Sequence, residues 1–215
     1  MSEPSGYLES SAVRLGLKIA VVMVALAVLA GAGWFWLRAE DNRGLTALAA
    51  TADLVQEAAG PQATADTRRK AISALQTVLD QHARSSAAPQ AAYQLGNLQY
   101  QAGDFAAARA AYQVALAKGA TASVRTLAAV GIGYTWEAQK NYANALTAYD
   151  AVVRDVAPRK FFHEEALLDL ARAQTLAGKP GEAIATYERL LKDAPDTRRA
   201  PDVRAKILEL ESRAK

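Results

Sequence analysis

The sequence predicts an all-α protein in which one apolar N-terminal helix is followed by an array of helical hairpins and a closing helix. The chain has 215 residues, of which 51% are hydrophobic but only 7% aromatic. Its apolar content is therefore mostly Ala, Leu and Val, a mixture that favours closely packed helices. Beyond the N-terminal apolar run, hydrophobic residues recur at helical spacing, and no stretch shows the alternation of a β-strand. A repeat of 37 to 38 residues indicates that the helices are paired in an array.

The overall charge and the cysteine content exclude several classes of function. The 25 basic and 22 acidic residues are spread along the chain and give a net charge of +3. Because no basic block or cluster of base-stacking aromatic residues appears, we expect no nucleic-acid partner. The chain contains no cysteine, which excludes disulfides, thiolate metal sites and a cysteine nucleophile.

The N-terminal apolar segment predicts a transmembrane signal anchor over residues 13–37, preceded by a short tail, residues 1–12. The run IAVVMVALAVLAGAGWFWL holds 19 residues without a charge. As a helix it extends about 28 Å, close to the ~30 Å hydrocarbon core of a bilayer. Arg14 and Lys18 precede this run, and a Trp-Phe-Trp cluster closes it. Because aromatic residues favour the membrane interface and basic residues the cytoplasmic side, the pattern predicts a single-pass protein with a cytoplasmic N-terminus.

A cleaved signal peptide is the alternative interpretation of the same segment. Ala30-Gly31-Ala32 has the small residues of a cleavage site. The apolar character continues past this point to Leu37, which favours a retained anchor. Residues 38–44 are polar and are expected to form a linker.

Residues 45–84 are predicted to form a first, degenerate hairpin. Its first helix is expected to end at Gly60-Pro61, because Gly and Pro both disfavour helix interiors. The apolar residues expected on one face of that helix are Leu45, Leu48, Ala52, Val55 and Ala59. The second helix is expected to begin near Asp66. Its inward-facing residues are predicted to be Ala71, Leu75, Val78 and Leu79.

Three further hairpins are predicted from a recurring pattern of a small, an aromatic and an aliphatic residue. The pattern occurs at Ala108, Tyr112 and Leu116, at Ala145, Tyr149 and Val153, and at Ala183, Tyr187 and Leu191. Near-constant spacing of this kind is typical of a repeat array. The hairpins are placed at residues 89–120, 126–157 and 164–195, and residues 200–215 are predicted to form a capping helix.

The stretch LGNLQYQAGDFAAARAAYQVAL resembles the tetratricopeptide repeat (TPR). The signature of that family is Leu-Gly in the first helix, followed by a small, an aromatic and a second small residue in the second helix. The residues at these positions are Leu95, Gly96, Ala108, Tyr112 and Ala115. Small residues let the paired helices approach, and the aromatic ring fills the gap to the next hairpin. The resemblance implies a right-handed TPR solenoid that binds proteins and has no enzymatic activity.

The same resemblance implies that a protein partner binds along the concave face, which the first helix of each hairpin lines. The residues that it places in this groove are Tyr93, Asn97, Tyr100, Leu127, Val130, Tyr134, Leu168 and Arg172. Among them, Asn97 and Arg172 are expected to affect binding without affecting the fold, because both are polar. Some TPR domains hold acidic C-terminal tails in a basic clamp around an Asn. Here Asn97 matches, but Tyr93 and Gln101 stand where bases are required, so an apolar or mixed partner is expected.

The sequence lacks the patterns of a catalytic or cofactor site. Its only histidines, His82 and His163, are far apart in the chain. The segment that begins at His163 reads His-Glu-Glu and lacks the second histidine of a zinc protease. The sequence contains no phosphate-binding loop and no nucleophile elbow. We therefore expect no enzymatic activity, no cofactor and no metal.

The layout of the chain resembles a narrower group, the ancillary subunit of the bacterial Sec translocon. The resemblance rests on one span that ends in GWFWLR at residues 33–38 and is followed by a compact TPR domain. It implies a protein of the bacterial inner membrane with its TPR domain in the periplasm, where it assists translocation or folding beside the translocon or periplasmic chaperones. Two alternatives remain open: a Tol-Pal-associated adaptor of cell division, and a self-assembling TPR scaffold that forms homo-oligomers.

Overall fold

The computed structural model describes residues 6–116, 120–158, 160 and 162–213, with side chains from Val13 onward. Within these ranges the chain forms ten helices and no β-strand, which confirms the all-α prediction. The helices are α1 (Gly6–Ala50), α2 (Ala52–Ala59), α3 (Ala65–Gln81), α4 (Ala88–Gln101), α5 (Phe105–Ala115), α6 (Ala122–Ala138), α7 (Tyr142–Asp155), α8 (His163–Leu176), α9 (Pro180–Asp193) and α10 (Ala200–Arg213). Residues 1–5 of the expected tail and 214–215 of the expected capping helix lie outside the described residues.

Residues 38–44, expected to form a linker, instead lie inside α1, a continuous helix of 45 residues. The segment contains no proline, and its only glycine, Gly44, is its last residue. Glu40 and Asp41 make hydrogen bonds to residues 82–87, the connection between α3 and α4. Polar composition alone does not end a helix when tertiary contacts support it, so the expectation of a linker is corrected here.

The expected inward face of residues 45–59 is shifted by one residue in the structure. The exposed members of the predicted face are Leu45, Ala52 and Ala59. The buried residues are Gly44, Thr51 and Ala58. The helix is also interrupted at Thr51, between α1 and α2. Small residues are buried here because the connection between α3 and α4 lies close to this helix. A Cβ added to Gly44 would be 2.2 Å from Ser85 Oγ.

The second helix of this first hairpin agrees with the prediction. α3 begins at Ala65, and Thr64 Oγ1 caps it by accepting a hydrogen bond of 3.0 Å from the Thr67 amide. Such a cap satisfies one of the free amides of the first turn. The predicted inward residues are buried or half-buried: Ala71, Leu75, Val78 and Leu79.

The three later hairpins repeat one turn geometry. The helices pair as α4 with α5, α6 with α7 and α8 with α9. In each turn one residue adopts a left-handed conformation: Gly103, Lys140 and Gly178 have φ values of 80°, 57° and 72°. Asp104 and Asn141 then cap α5 and α7 through their side-chain oxygens. The regular spacing in the sequence therefore reflects a repeated local structure.

A buried tyrosine in the second helix packs against glycines of the first helices on both sides. A Cβ added to Gly96 or Gly131 would lie 2.5 Å or 2.6 Å from the ring of Tyr112. A Cβ added to Gly133 would lie 2.3 Å from the ring of Tyr149, whose side chain is fully buried. Tyr112 thus fills the space between α4, in its own hairpin, and α6, in the next. This is the packing that the small-aromatic pattern predicts.

The last described helix, α10, packs against α9. Val203 and Leu210 are buried in the same core as the third and fourth hairpins, and Ile207 packs against that core. Arg204, on the opposite side of the helix, is exposed. Leu208 is exposed as well, so the outer side of α10 carries both polar and apolar residues.

Candidate partner-binding surface

The first helices of the hairpins and α10 form one face of the array, which we call the inner surface. It consists of α2, α4, α6, α8 and α10. α2 packs against α4 and α4 against α6, whereas long polar side chains join α6 to α8. Two depressions lie in this surface, one of about 300 Å³ toward its N-terminal end and one of about 520 Å³ toward its C-terminal end.

The N-terminal depression is uncharged, since apolar, amide and tyrosine residues from α2, α4, α5 and α6 line it. The residues that supply its polar groups are Gln94, Asn97, Tyr100, Gln101, Tyr112 and Tyr134. Asn97 Oδ1 accepts a hydrogen bond of 2.8 Å from Tyr112 Oη. Amide and phenol groups can donate and accept hydrogen bonds along a peptide backbone, so this depression can hold an extended segment.

The C-terminal depression combines apolar walls with charged residues. Leu168, Leu176 and Leu210 supply apolar surface. Its charged residues are of both signs and include Arg199, Lys206, Asp202 and Glu209. Leu176 is 47% exposed, so its side chain is accessible to a partner. An apolar side chain of a partner can pack against these leucines while its polar neighbours meet the charged residues.

A polar network spans α6, α7 and α8 and separates the two depressions. Arg172 Nη2 donates to Asp169 Oδ1 at 2.6 Å, and Arg172 Nη1 pairs with Glu137. Tyr134 Oη donates to Asp169 Oδ2 at 2.8 Å, and Tyr149 Oη donates to Glu137 Oε2 at 3.1 Å. Because Tyr134 lines one depression and Arg172 the other, the network fixes the shape of the inner surface at its centre.

Burial controls the ionisation of this network. It raises the pKa of Asp169 to about 6, and the charge of Glu165 adds to this, while the hydrogen bond from Tyr134 and the charge of Arg199 act in the opposite direction by favouring the ionised carboxylate. Burial, and then the charge of Asp169, also raises the pKa of the Tyr134 phenol, which therefore stays protonated and donates its hydrogen bond. Above about pH 6, Asp169 is therefore mostly ionised, and its carboxylate and the Glu137 side chain lie on either side of the Arg172 guanidinium.

Most of the predicted groove residues lie at the inner surface, with one clear exception. Those that line a depression are Asn97, Tyr100, Tyr134, Leu168 and Arg172. Tyr93 and Leu127 are half-buried and lie outside both depressions. Val130 is wrong as a groove residue: it is 2% exposed and belongs to the core of the third and fourth hairpins. Val130 is buried because α6 packs between α5 and α7, and the side of α6 that carries Val130 faces the core.

Asn97 and Arg172, expected to affect binding without affecting the fold, both make contacts inside the protein. Asn97 accepts the hydrogen bond of the buried Tyr112. Arg172 bridges two carboxylates, and its Cζ lies 5.7 Å from the centre of the Tyr134 ring. We therefore now expect either substitution to affect the fold as well, because it would leave a partly buried polar partner without its hydrogen bond.

Two contributions to the inner surface were missed by sequence reasoning. Asp169 anchors the polar network, but an acidic residue in a helix is usually solvated and gives no signal of its own. α10 was assigned only a capping role, yet Lys206 and Leu210 line the larger depression. A signal for α10 does exist, since its inward residues follow those of α8 by 37 positions. The matching pairs are Ala166 and Val203, Leu170 and Ile207, and Ala173 and Leu210.

Both histidines make contacts inside the protein. His163 is buried, with Nδ1 2.9 Å from the Val156 carbonyl oxygen and Nε2 3.0 Å from Asp193 Oδ2. His82 Nδ1 lies 2.8 Å from Glu40 Oε1. Across the part of the chain that the structure describes, no group of three or more His, Cys, Asp and Glu residues is placed to hold a metal ion.

Antiparallel helix pairs stacked at near-constant spacing define the class of helical-repeat solenoids. Within that class, two tetratricopeptide repeat family models match this chain, one over residues 65–123 and the other over residues 137–207. The chain therefore carries tetratricopeptide repeats in both halves of its hairpin array. Repeats of this family support a protein-interaction scaffold as the general class of function.

Several solved structures have a similar fold, and two of them are structures of proteins named MamA. One MamA crystal structure is 19% identical, with a TM-score of 0.55, and the match covers 74% of this chain and 77% of that one. A MamA chain from Desulfovibrio magneticus RS-1 is 18% identical, with a TM-score of 0.52, covering 77% of this chain and 96% of that one. At this identity the likeness shows the fold alone. No curated protein has significant sequence similarity to the chain.

Proposed function

We propose that the chain is a membrane-anchored, non-enzymatic scaffold whose inner surface binds an extended segment of a partner protein. The observation that carries this proposal is the pair of adjoining depressions on the first helices, with volumes of about 300 Å³ and about 520 Å³. One offers uncharged hydrogen-bonding groups, and the other offers exposed leucine. Together they suit a peptide of apolar or mixed composition better than an acidic tail.

The anchoring part of the proposal rests on the apolar segment of α1. Residues 13–37 are exposed throughout, although the segment is rich in Val, Leu and Trp. α1 is long and apolar enough to cross a membrane by length and composition. A row of exposed apolar side chains that none of the described residues covers is best satisfied by lipid.

The location and the partners that we propose come from the layout of the chain. Basic residues before the span favour a cytoplasmic N-terminus, which places the repeats in the periplasm of a bacterium. There the scaffold would assist protein translocation or folding, with the translocon or a periplasmic chaperone as its partner. An adaptor of the Tol-Pal and cell-division machinery and a self-assembling scaffold are the alternatives that the next experiment separates.

Photocrosslinking from matched exposed positions tests the inner surface. Leu176 on α8 and Val114 on α5 are both 47% exposed, but only Leu176 lines a depression. A benzoylphenylalanine at position 176 should therefore form adducts in cells that express the full chain, and one at position 114 should form few. Translocon or chaperone adducts support the proposed role, whereas division proteins or a second copy of the chain would favour the alternatives.

Substitution of the same two residues gives a quantitative check on the partner identified in this way. Leu176→Asp should weaken binding by about tenfold or more, because a charge replaces apolar contact area in the depression. Val114→Asp, its matched control, should leave the dissociation constant within about twofold. Equal loss in the two variants, or equal crosslinking from the two positions, would place the binding site elsewhere.

A further inference from the structure

The part of α1 beyond the apolar run is fastened to the α3–α4 connection, residues 82–87. Glu40 Oε1 accepts a hydrogen bond from His82 Nδ1 at 2.8 Å. Asp41 Oδ1 accepts one from the Ser86 amide at 2.7 Å and another from the Ser85 hydroxyl at 3.2 Å. Four side chains and one backbone amide thus fix the position of this connection along the axis of α1.

Close backbone packing at Gly44 supports the same contact. A Cβ at this position would lie 2.2 Å from Ser85 Oγ and 3.2 Å from His82 Cβ. The connection therefore rests directly on the backbone of α1. Since α1 is helical on both sides of this point, the apolar run and the repeats have a fixed relative height along the helix axis.

That height places the connection at the surface of a bilayer. Glu40, Asp41 and Gly44 lie three, four and seven residues beyond Leu37, which is about 4 to 11 Å along a helix. The headgroup layer on each side of the hydrocarbon core is roughly 5 to 7 Å thick. With the apolar run, residues 19–37, spanning the core, the connection therefore lies in or just above the headgroups.

The exposed charge at this level is basic, because the acidic side chains of the helix are turned toward the protein. Arg43 lies 3.9 Å from Glu40 in an ion pair, but the Arg43 side chain is 67% exposed and that of Glu40 only 19%. Arg38 and Arg84 are also exposed, and Arg84 makes no ion pair with the described residues. Asp80, at the end of α3, is the exposed acid nearest in sequence to Arg84.

We propose that Arg38, Arg43 and Arg84 bind the phosphates of anionic phospholipid headgroups and hold the first hairpin against the membrane. This inference rests on the proposed membrane anchoring. A guanidinium suits the role because it binds phosphate oxygens through two parallel hydrogen bonds. Basic residues next to a span are attracted to the negative surface of anionic lipid within about 8 Å at physiological salt.

Headgroup quenching in nanodiscs tests this contact on the full chain. The chain has no cysteine, so a single Ala83→Cys substitution carries a fluorophore beside Arg84. Asn144→Cys places the same label on an exposed position of α7 as the control. In discs with phosphatidylglycerol and a nitroxide on some headgroups, the label at position 83 should be quenched at least about twofold more than the label at position 144.

A charge-matched pair of variants separates the arginine contacts from simple proximity. The test variant combines Arg38→Gln, Arg43→Gln and Arg84→Gln. The control variant removes three exposed arginines of the later helices by Arg154→Gln, Arg189→Gln and Arg204→Gln. The first should lower the excess quenching at position 83 by about half or more, and the second should leave it unchanged.

The outcomes distinguish this inference from the proposed anchoring. A chain that carbonate washing removes from the membrane would overturn both. A chain that stays inserted but shows equal quenching at positions 83 and 144 would overturn the headgroup contact and leave the anchor in place. Strong quenching at position 83 that neither the arginine substitutions nor a change to uncharged lipid reduces would overturn the role of the arginines.

Discussion

Replacing Gly133 by alanine should lower the free energy of unfolding by about 2 to 3 kcal/mol. The new Cβ would lie 2.3 Å from the ring of Tyr149, and real carbon atoms in contact lie more than 3 Å apart. The ring is rigid and fully buried, so the helices rather than the side chain must move. Urea unfolding of the full chain in a mild detergent, followed by circular dichroism, measures the loss.

Gly181→Ala is the matched control for this substitution. Gly181 also lies in a helix, near the start of α9, but a Cβ there meets no atom within 4 Å. Alanine is the better helix former by up to about 1 kcal/mol, so this variant should be as stable as the parent or more so. If Gly133→Ala unfolded at the same urea concentration as the parent, the close approach of α6 and α7 described above would be incorrect.

Replacing Arg172 by methionine should lower the free energy of unfolding by about 2 kcal/mol. The change leaves Glu137 and Asp169, whose side chains are 15% and 9% exposed, without their counter-charge. Removing one partner of a fully buried pair typically costs about 3 to 5 kcal/mol, and the 41% exposure of Arg172 reduces that figure. Arg154→Met, which removes an exposed pair with Asp150, should cost less than about 0.5 kcal/mol.

The loss caused by Arg172→Met should also depend on pH. Because the pKa of Asp169 is raised in the folded protein, this group favours folding most below its unfolded pKa, and the benefit disappears as pH rises through about 6. Without Arg172, the ionised form is disfavoured further. The difference in stability between variant and parent should therefore be larger at about pH 7.5 than at about pH 5. A difference that does not change with pH would mean that Asp169 is not the uncompensated group.

The hairpin array could be predicted from sequence because its packing is encoded locally. The small-aromatic pattern at Ala145 and Tyr149 recurs in the three later hairpins, and the structure buries both residues. Turn residues such as Gly103 and Asp104 likewise mark helix ends by their own backbone and side-chain preferences. Each of these signals depends on residues close together in the chain, so a single sequence is enough to show them.

The features that sequence reasoning missed depend on partners distant in the chain. Residues 38–44 resemble a linker until the contacts of Asp41 with residues 82–87 are known. Val130 is apolar at a groove position, and only its packing in the shared core shows that it is buried. Asp169 and Glu137 become a network only through Arg172, which joins α8 to α6. The sequence was therefore enough to predict which helices form the inner surface. It was not enough to predict which of their side chains are buried and which are accessible to a partner.

The continuity of α1 determines how the proposed scaffold can meet its partners. A helix of 45 residues extends about 68 Å, and its last turns are clamped to the first hairpin. Such an anchor couples the span rigidly to the array. A change in the tilt or rotation of the span therefore rotates the whole array through the same angle. A scaffold on a flexible linker would sample many orientations relative to the membrane. The proposed scaffold would instead hold its two depressions at a fixed height above the membrane and in a fixed orientation. Partners that are themselves held in the membrane would meet it in a single relative orientation, so the bilayer would contribute to their selection.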